Sequence, residues 1–103
     1  MILFNITFNV ENDIKDLWLD YAEQKLIPAM LKSNLLHSVI FSEIMITEPQ
    51  GTSYALQLQS DSKKNLEKFQ TEELPEILSA LQNRFQDKIV FFPTEMKIIK
   101  KYR

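Results

Sequence analysis

Residues 2–10 alternate without interruption, with Ile2, Phe4, Ile6, Phe8 and Val10 on one side of an extended chain and Leu3, Asn5, Thr7 and Asn9 on the other. Successive side chains of a strand point to opposite faces, so this run reads as a strand with one face in a core and the other turned elsewhere. A slip of one residue would move five large apolar side chains out of the core, which makes this strand the fixed reference for the rest of the chain.

Beyond it the period changes. Asn12 or Asp13 offers an N-cap, and Ile14, Leu17, Trp18, Tyr21 and Ala22 recur at helical spacing through about Glu23. Pro28 interrupts this helix, so residues 25–32 are expected as a kink or a new helical turn with the proline near its start, ended by Ser33-Asn34. From about residue 36 to 47 the run His37-Ser38-Val39-Ile40-Phe41-Ser42-Glu43-Ile44-Met45-Ile46 is β-rich with both faces mixed, the pattern of a long strand with apolar neighbours on each side. Glu48-Pro49-Gln50-Gly51 signals a turn. Alternation then resumes over residues 53–60, Tyr54, Leu56 and Leu58 opposite Ala55, Gln57 and Gln59, which completes a β-hairpin.

A second helical stretch begins near Asp61 or Ser62 and carries Leu66, Phe69, Leu74, Ile77, Leu78, Leu81 and Phe85 on one stripe, broken by Pro75. Residues 88–100 form the last strand, apolar on both faces from Ile89 to Phe92. Pro93 cannot donate to a ladder and marks it as an edge strand or a bulged one. The order β-α-β-β-α-β predicts a ferredoxin-like α+β sandwich, with a four-stranded antiparallel sheet, both helices on one face, and the first and third strands central. Trp18 to Pro28 and Phe69 to Pro75 also echo one another faintly, as a duplicated half-domain would. A chain of 103 residues, 45% hydrophobic, supports one such domain.

Composition excludes several functions. The absence of cysteine removes disulfides, thiolate metal sites and cysteine nucleophiles, and is compatible with a cytoplasmic protein. A single glycine, Gly51, excludes the glycine-rich loops that cradle phosphates. A net charge of −2 argues against a nucleic-acid partner, and the hairpin strand Ser53-Tyr54-Ala55-Leu56-Gln57-Leu58 lacks the glycine and basic residue of an RNA-binding sheet. The basic end Lys97, Lys100, Lys101 and Arg103 reads as a solvated strand terminus. No run approaches the roughly 18 apolar residues of a membrane span, and Met1-Ile2-Leu3-Phe4-Asn5 lacks the basic start of a secretory signal.

The sheet face away from the helices is the informative one. Its centre carries Asn5, Thr7, Asn9, Gln57 and Gln59, and the flanking strands offer Phe41, Met45, Ile89, Phe91 and Ile99, or the residues alternating with them. Left in water, those flanks would form an apolar patch of the size that marks an interaction site. Two such faces packed together would bury them, so the expected assembly is a homodimer with Phe41, Met45, Ile89 and Phe91 at the interface. The enclosed amides then hydrogen-bond one another or line a cavity for a small apolar ligand. Asn5, Thr7, Asn9, Trp18, His37 and Gln57 are the candidate ligand-binding residues.

The stretches Met1-Ile2-Leu3-Phe4-Asn5-Ile6-Thr7, Trp18-Leu19 with Ile27-Pro28, Thr52-Ser53-Tyr54-Ala55-Leu56-Gln57, and Arg84-Phe85 leading into Lys88-Ile89-Val90-Phe91-Phe92-Pro93-Thr94-Glu95 resemble a family of short bacterial proteins classed as domain of unknown function 4286. The resemblance spans nearly the whole chain. It implies a dimeric ferredoxin-like α+β barrel and no established activity. Where many such sequences have a histidine before the helix prolines, this chain has Leu26 and Leu74, so no role resting on that histidine pair is expected.

Catalysis finds little support in the residues. His37 is the only histidine, with nothing in the sequence to orient it or complete a metal site, and no cofactor or metal is implied. Asp13, Asp16, Asp20 and Glu23 lie at helical spacing and read as a solvated face. The dimeric-barrel superfamily includes cofactor-independent monooxygenases and haem-degrading enzymes that combine a strand Asn with Trp and His. Asn5, Trp18 and His37 match those residue types. The expected function is a small-ligand-binding or assembly module without a catalytic constellation, and the alternative is an oxygenase, haem-degrading enzyme or isomerase with a pocket between sheet and helices.

Overall fold

A computed structural model describes residues 1–46 and 49–103. Strand β1 (Ile2–Val10) keeps Phe4, Ile6, Phe8 and Val10 buried, as its alternation requires. The chain then enters a short 3-10 turn over Asn12–Ile14 and helix α1 (Lys15–Tyr21). Neither Asn12 nor Asp13 caps it. The Asn12 side chain is held instead by the hairpin, accepting from Thr52 Oγ1 at 3.0 Å and donating to the Pro49 carbonyl at 3.4 Å. Leu17 is also off the apolar stripe, 52% exposed, and Leu26 and Met30 extend that stripe in its place.

The helix does not stop near Glu23. It passes through a π turn, Ala22–Leu26, into helix α2 (Ile27–Leu31), with Pro28 in the first turn of that segment. Proline lacks the N–H that continues an α-helix and crowds the carbonyl four residues back; the wider π turn sits where that crowding would fall.

Strand β2 (Ser38–Glu43) is shorter than the β-rich run predicts. One further bond, Ile44 N–H to the Ser53 carbonyl, follows before Ile46 N–H turns back to the Ile44 carbonyl and the chain leaves the ladder. Thr47 and Glu48, the expected strand end and turn start, lie outside the described residues. Strand β3 (Thr52–Ser60) pairs with β2 as the expected hairpin. Gly51, just before it, is buried, and its conformation is one any residue adopts. It serves close approach instead: a Cβ there would lie 2.8 Å from both Asn9 Oδ1 and the Val10 carbonyl oxygen.

Ser62 caps helix α3 (Lys63–Glu72) by accepting from the Asn65 N–H at 3.1 Å. Helix α4 (Leu74–Phe85) follows with Pro75 in its first turn. The last strand, β4 (Ile89–Lys97), ends before residue 100, with one more ladder bond from Ile98 N–H to the Met1 carbonyl. The sheet order is β2-β3-β1-β4, entirely antiparallel, with β1 and β3 central. Pro93 sits in β4 opposite Ile6 without a bulge, because β4 is bonded on one side only and a proline is tolerated on a free edge.

The core lies between this sheet and the helices. Trp18 is its centre, with Phe8 at 4.9 Å, Phe41 and Tyr54 each at 6.0 Å and Phe85 at 6.2 Å between ring centroids.

Candidate functional site

Because β1 has a fixed parity, its partners assign every residue of the sheet to a face. On the face away from the helices, Leu3 stands between Met96 and Gln59, Asn5 between Thr94 and Gln57, Thr7 between Phe92 and Ala55, and Asn9 between Val90 and Ser53. Strand β2 adds Ser38 beside Gln59 and Ile40 beside Gln57. The face is a polar strip bordered by apolar side chains: Ile40 is 50% exposed on one edge, and Val90, Phe92 and Met96 are 62%, 54% and 39% exposed on the other.

This corrects three of the four expected interface residues. Phe41 pairs with Leu56, Ile89 with Val10 and Phe91 with Phe8, so all three point to the helix side, and their neighbours Ile40, Val90 and Phe92 hold the open face. Met45 lies beyond the end of β2 and is 94% exposed. Ile99 lies beyond β4. Val39-Ile40-Phe41 and Ile89-Val90-Phe91-Phe92 are apolar at every position, so pattern alone cannot choose the parity; the ladder with β1 and β3 does.

The strip is partly satisfied by itself. Asn5 Nδ2 donates to Thr7 Oγ1 at 2.9 Å, Ser38 Oγ to Gln59 Oε1 at 3.0 Å, and Asn9 Nδ2 to Ser53 Oγ at 3.4 Å. Asn5 Oδ1 is buried with no partner among the described residues. Of the candidate ligand-binding residues, Asn5, Thr7, Asn9 and Gln57 therefore share this face. Trp18 does not: it lies across the sheet, packed on Phe8. His37 is on the surface at the start of β2, its Nδ1 3.7 Å from Asp61 Oδ1. The sheet thus stands between Asn5 and Trp18, and the three residues that would suit an oxygenase do not form one site. Asp13, Asp16, Asp20 and Glu23 are exposed. Lys88 pairs with Asp13 at 3.0 Å and Glu11 at 3.4 Å.

A second locus lies on the helix side and was not legible in the sequence. Trp18 Nε1 and the Tyr54 hydroxyl are buried with no hydrogen-bond partner among the described residues. Burial first, and then the negative charge of Glu43 directly across the ladder, together push the Tyr54 pKa up to about 12, without a hydrogen bond of ordinary length to the hydroxyl. Lys15 Nζ lies 3.5 Å from that Glu43 carboxylate. Among the described residues, no helix is long and apolar enough to cross a membrane.

Strand order and the one-sided helical layer define a ferredoxin-like α+β domain. The chain belongs to the family described as Domain of unknown function (DUF4286), which matches residues 1–99. No curated protein matches the sequence. Among solved structures it is similar to a proposed antibiotic biosynthesis monooxygenase from Deinococcus radiodurans, at 10% identity and a TM-score of 0.75 over 100% of this chain and 97% of that one. It is also similar to a dimeric ferredoxin-like protein from an uncultured marine organism, at 11% identity and a TM-score of 0.71 over 100% and 99%. A further likeness is to an ethyl tert-butyl ether d (ethd) family protein from Bacillus halodurans, at 12% identity and a TM-score of 0.68 over 94% and 100%. At these identities the likeness is one of fold.

Proposed function

We propose that the protein is a homodimer in which two open sheet faces pack against each other, and that it serves as an assembly or small-ligand-binding module. The observation that carries this reading is the border of Ile40, Val90, Phe92 and Met96 around a polar strip on the face that no helix covers. Packing two such faces removes the apolar borders from water and encloses the amides of Asn5, Asn9 and Gln57, where a small, largely apolar guest would meet a few fixed polar groups. The dimeric state described for one of the similar structures supports a dimer here. The separation of Asn5 from Trp18 favours binding over catalysis. Sedimentation velocity on the intact chain and on Phe92→Glu tests the proposal: the first sediments as a dimer, the second as a folded monomer.

A further inference from the structure

Phe41 lines a surface groove and packs against two rings that each carry a buried polar atom. Its ring stacks on Tyr54, with centroids 5.6 Å apart and planes 10° from parallel, and meets Trp18 edge-on at 6.0 Å. The same residue lines a groove of about 330 Å³ with Leu19, Glu23 and Ile27. The two rings that Phe41 contacts are those whose Nε1–H and hydroxyl have no partner among the described residues. An indole N–H can only donate, so what it lacks is an acceptor. Phe41 is carried by β2, six residues long and bonded on one side, and such a strand separates from its sheet at lower free energy than a central one.

We propose that this is a binding site closed by Phe41: a neutral, flat aromatic molecule bearing a carbonyl oxygen displaces the Phe41 ring, stacks on Tyr54 and accepts a hydrogen bond from Trp18 Nε1. Stacking on Tyr54 is the interaction Phe41 itself makes, so the ligand replaces it with a ring of the same shape. The carbonyl supplies the acceptor that Phe41 cannot. Glu23 in the groove and Asp16 near Tyr54 carry negative charge, while Glu43 is offset by Lys15 at 3.5 Å, so a neutral ligand suits the site better than an anion. The site is on the helix side of the sheet and does not depend on whether the open faces pair.

Trp18 is the only tryptophan, so its indole N–H gives a single resonance in the 15N-labelled chain. Coumarin is the probe, and naphthalene, of similar shape but without an acceptor, is the control. Coumarin is expected to move the indole resonance downfield and saturably, and naphthalene at the same concentration is expected not to. Phe41→Ala is expected to tighten coumarin binding about tenfold, because the closing ring no longer limits the binding-competent fraction. Phe41→Leu, which keeps more of the core volume, gives the same direction if the alanine variant does not fold. An indole resonance that coumarin leaves in place in both the wild type and a folded Phe41 variant overturns the proposal, as does an equal downfield shift with naphthalene. Sedimentation of the same samples reads the dimer separately, so the two proposals fail independently.

Discussion

Phe91 and Phe92 are consecutive in β4 and lie on opposite faces of the sheet. Phe91 pairs with Phe8 and packs on it with ring centroids 5.9 Å apart, whereas Phe92 pairs with Thr7 on the open face. Two identical neighbouring side chains therefore have different surroundings, one packed against the core and one exposed on the open face.

Substitution separates the two. Phe91→Ala is expected to destabilise the protein by about 2–4 kcal/mol, through lost burial and an imperfectly refilled core. Phe92→Ala is expected to change the stability of the folded protomer by less than ~1 kcal/mol while weakening the dimer. Urea unfolding at one fixed protein concentration, paired with sedimentation, reads both effects.

Tyr54 makes stability depend on pH in a defined window. Its folded pKa is about 12 against 10.0 ordinarily, so the folded state holds the phenolic proton more tightly than the unfolded one. The contribution is fully present below pH 10.0 and is lost as pH rises toward about 12. A difference of that size corresponds to about 3 kcal/mol. Tyr21, whose pKa burial also raises against the opposing charge of Arg84, declines in the same direction. The difference between wild type and Tyr54→Phe in urea midpoints across that window isolates the Tyr54 part. At neutral pH Tyr54→Phe is expected to be neutral or slightly stabilising, since the hydroxyl it removes has no partner.

Gly51→Ala tests close approach. The added methyl would meet Asn9 Oδ1, which can rotate away, and the Val10 carbonyl oxygen, which is held in β1. A loss of about 1–3 kcal/mol is expected, the range for forcing a methyl into a packed site. Adding Asn9→Ala is expected to recover only part of it, because the backbone contact remains. Chemical denaturation of the single and double variants checks both statements.

The fold was legible wherever a segment had one polar and one apolar face. Residues 2–10 and 53–60 carry their parity openly, and Ser62 announces its helix through a side chain that can accept a hydrogen bond. What was illegible came from segments with no contrast. Val39-Ile40-Phe41 and Ile89-Val90-Phe91-Phe92 read the same on either face, and only pairing with Leu56 and Phe8 decides it. Ile44-Met45-Ile46 is as β-prone as the strand before it, yet the chain turns out of the ladder there. The polar strip of Asn5, Thr7, Asn9 and Gln57 followed from alternation, while the unpartnered Trp18 and Tyr54 atoms depend on how helix and sheet meet, which no local pattern encodes.

Two copies of the chain are proposed to pack their open faces together. Sedimentation velocity at micromolar concentration tests this most directly. A species of twice the 12.2 kDa protomer mass is expected, converting to a folded protomer in Phe92→Glu and in Ile40→Glu. A 12.2 kDa species in the wild type, or a dimer that both substitutions leave intact, contradicts it.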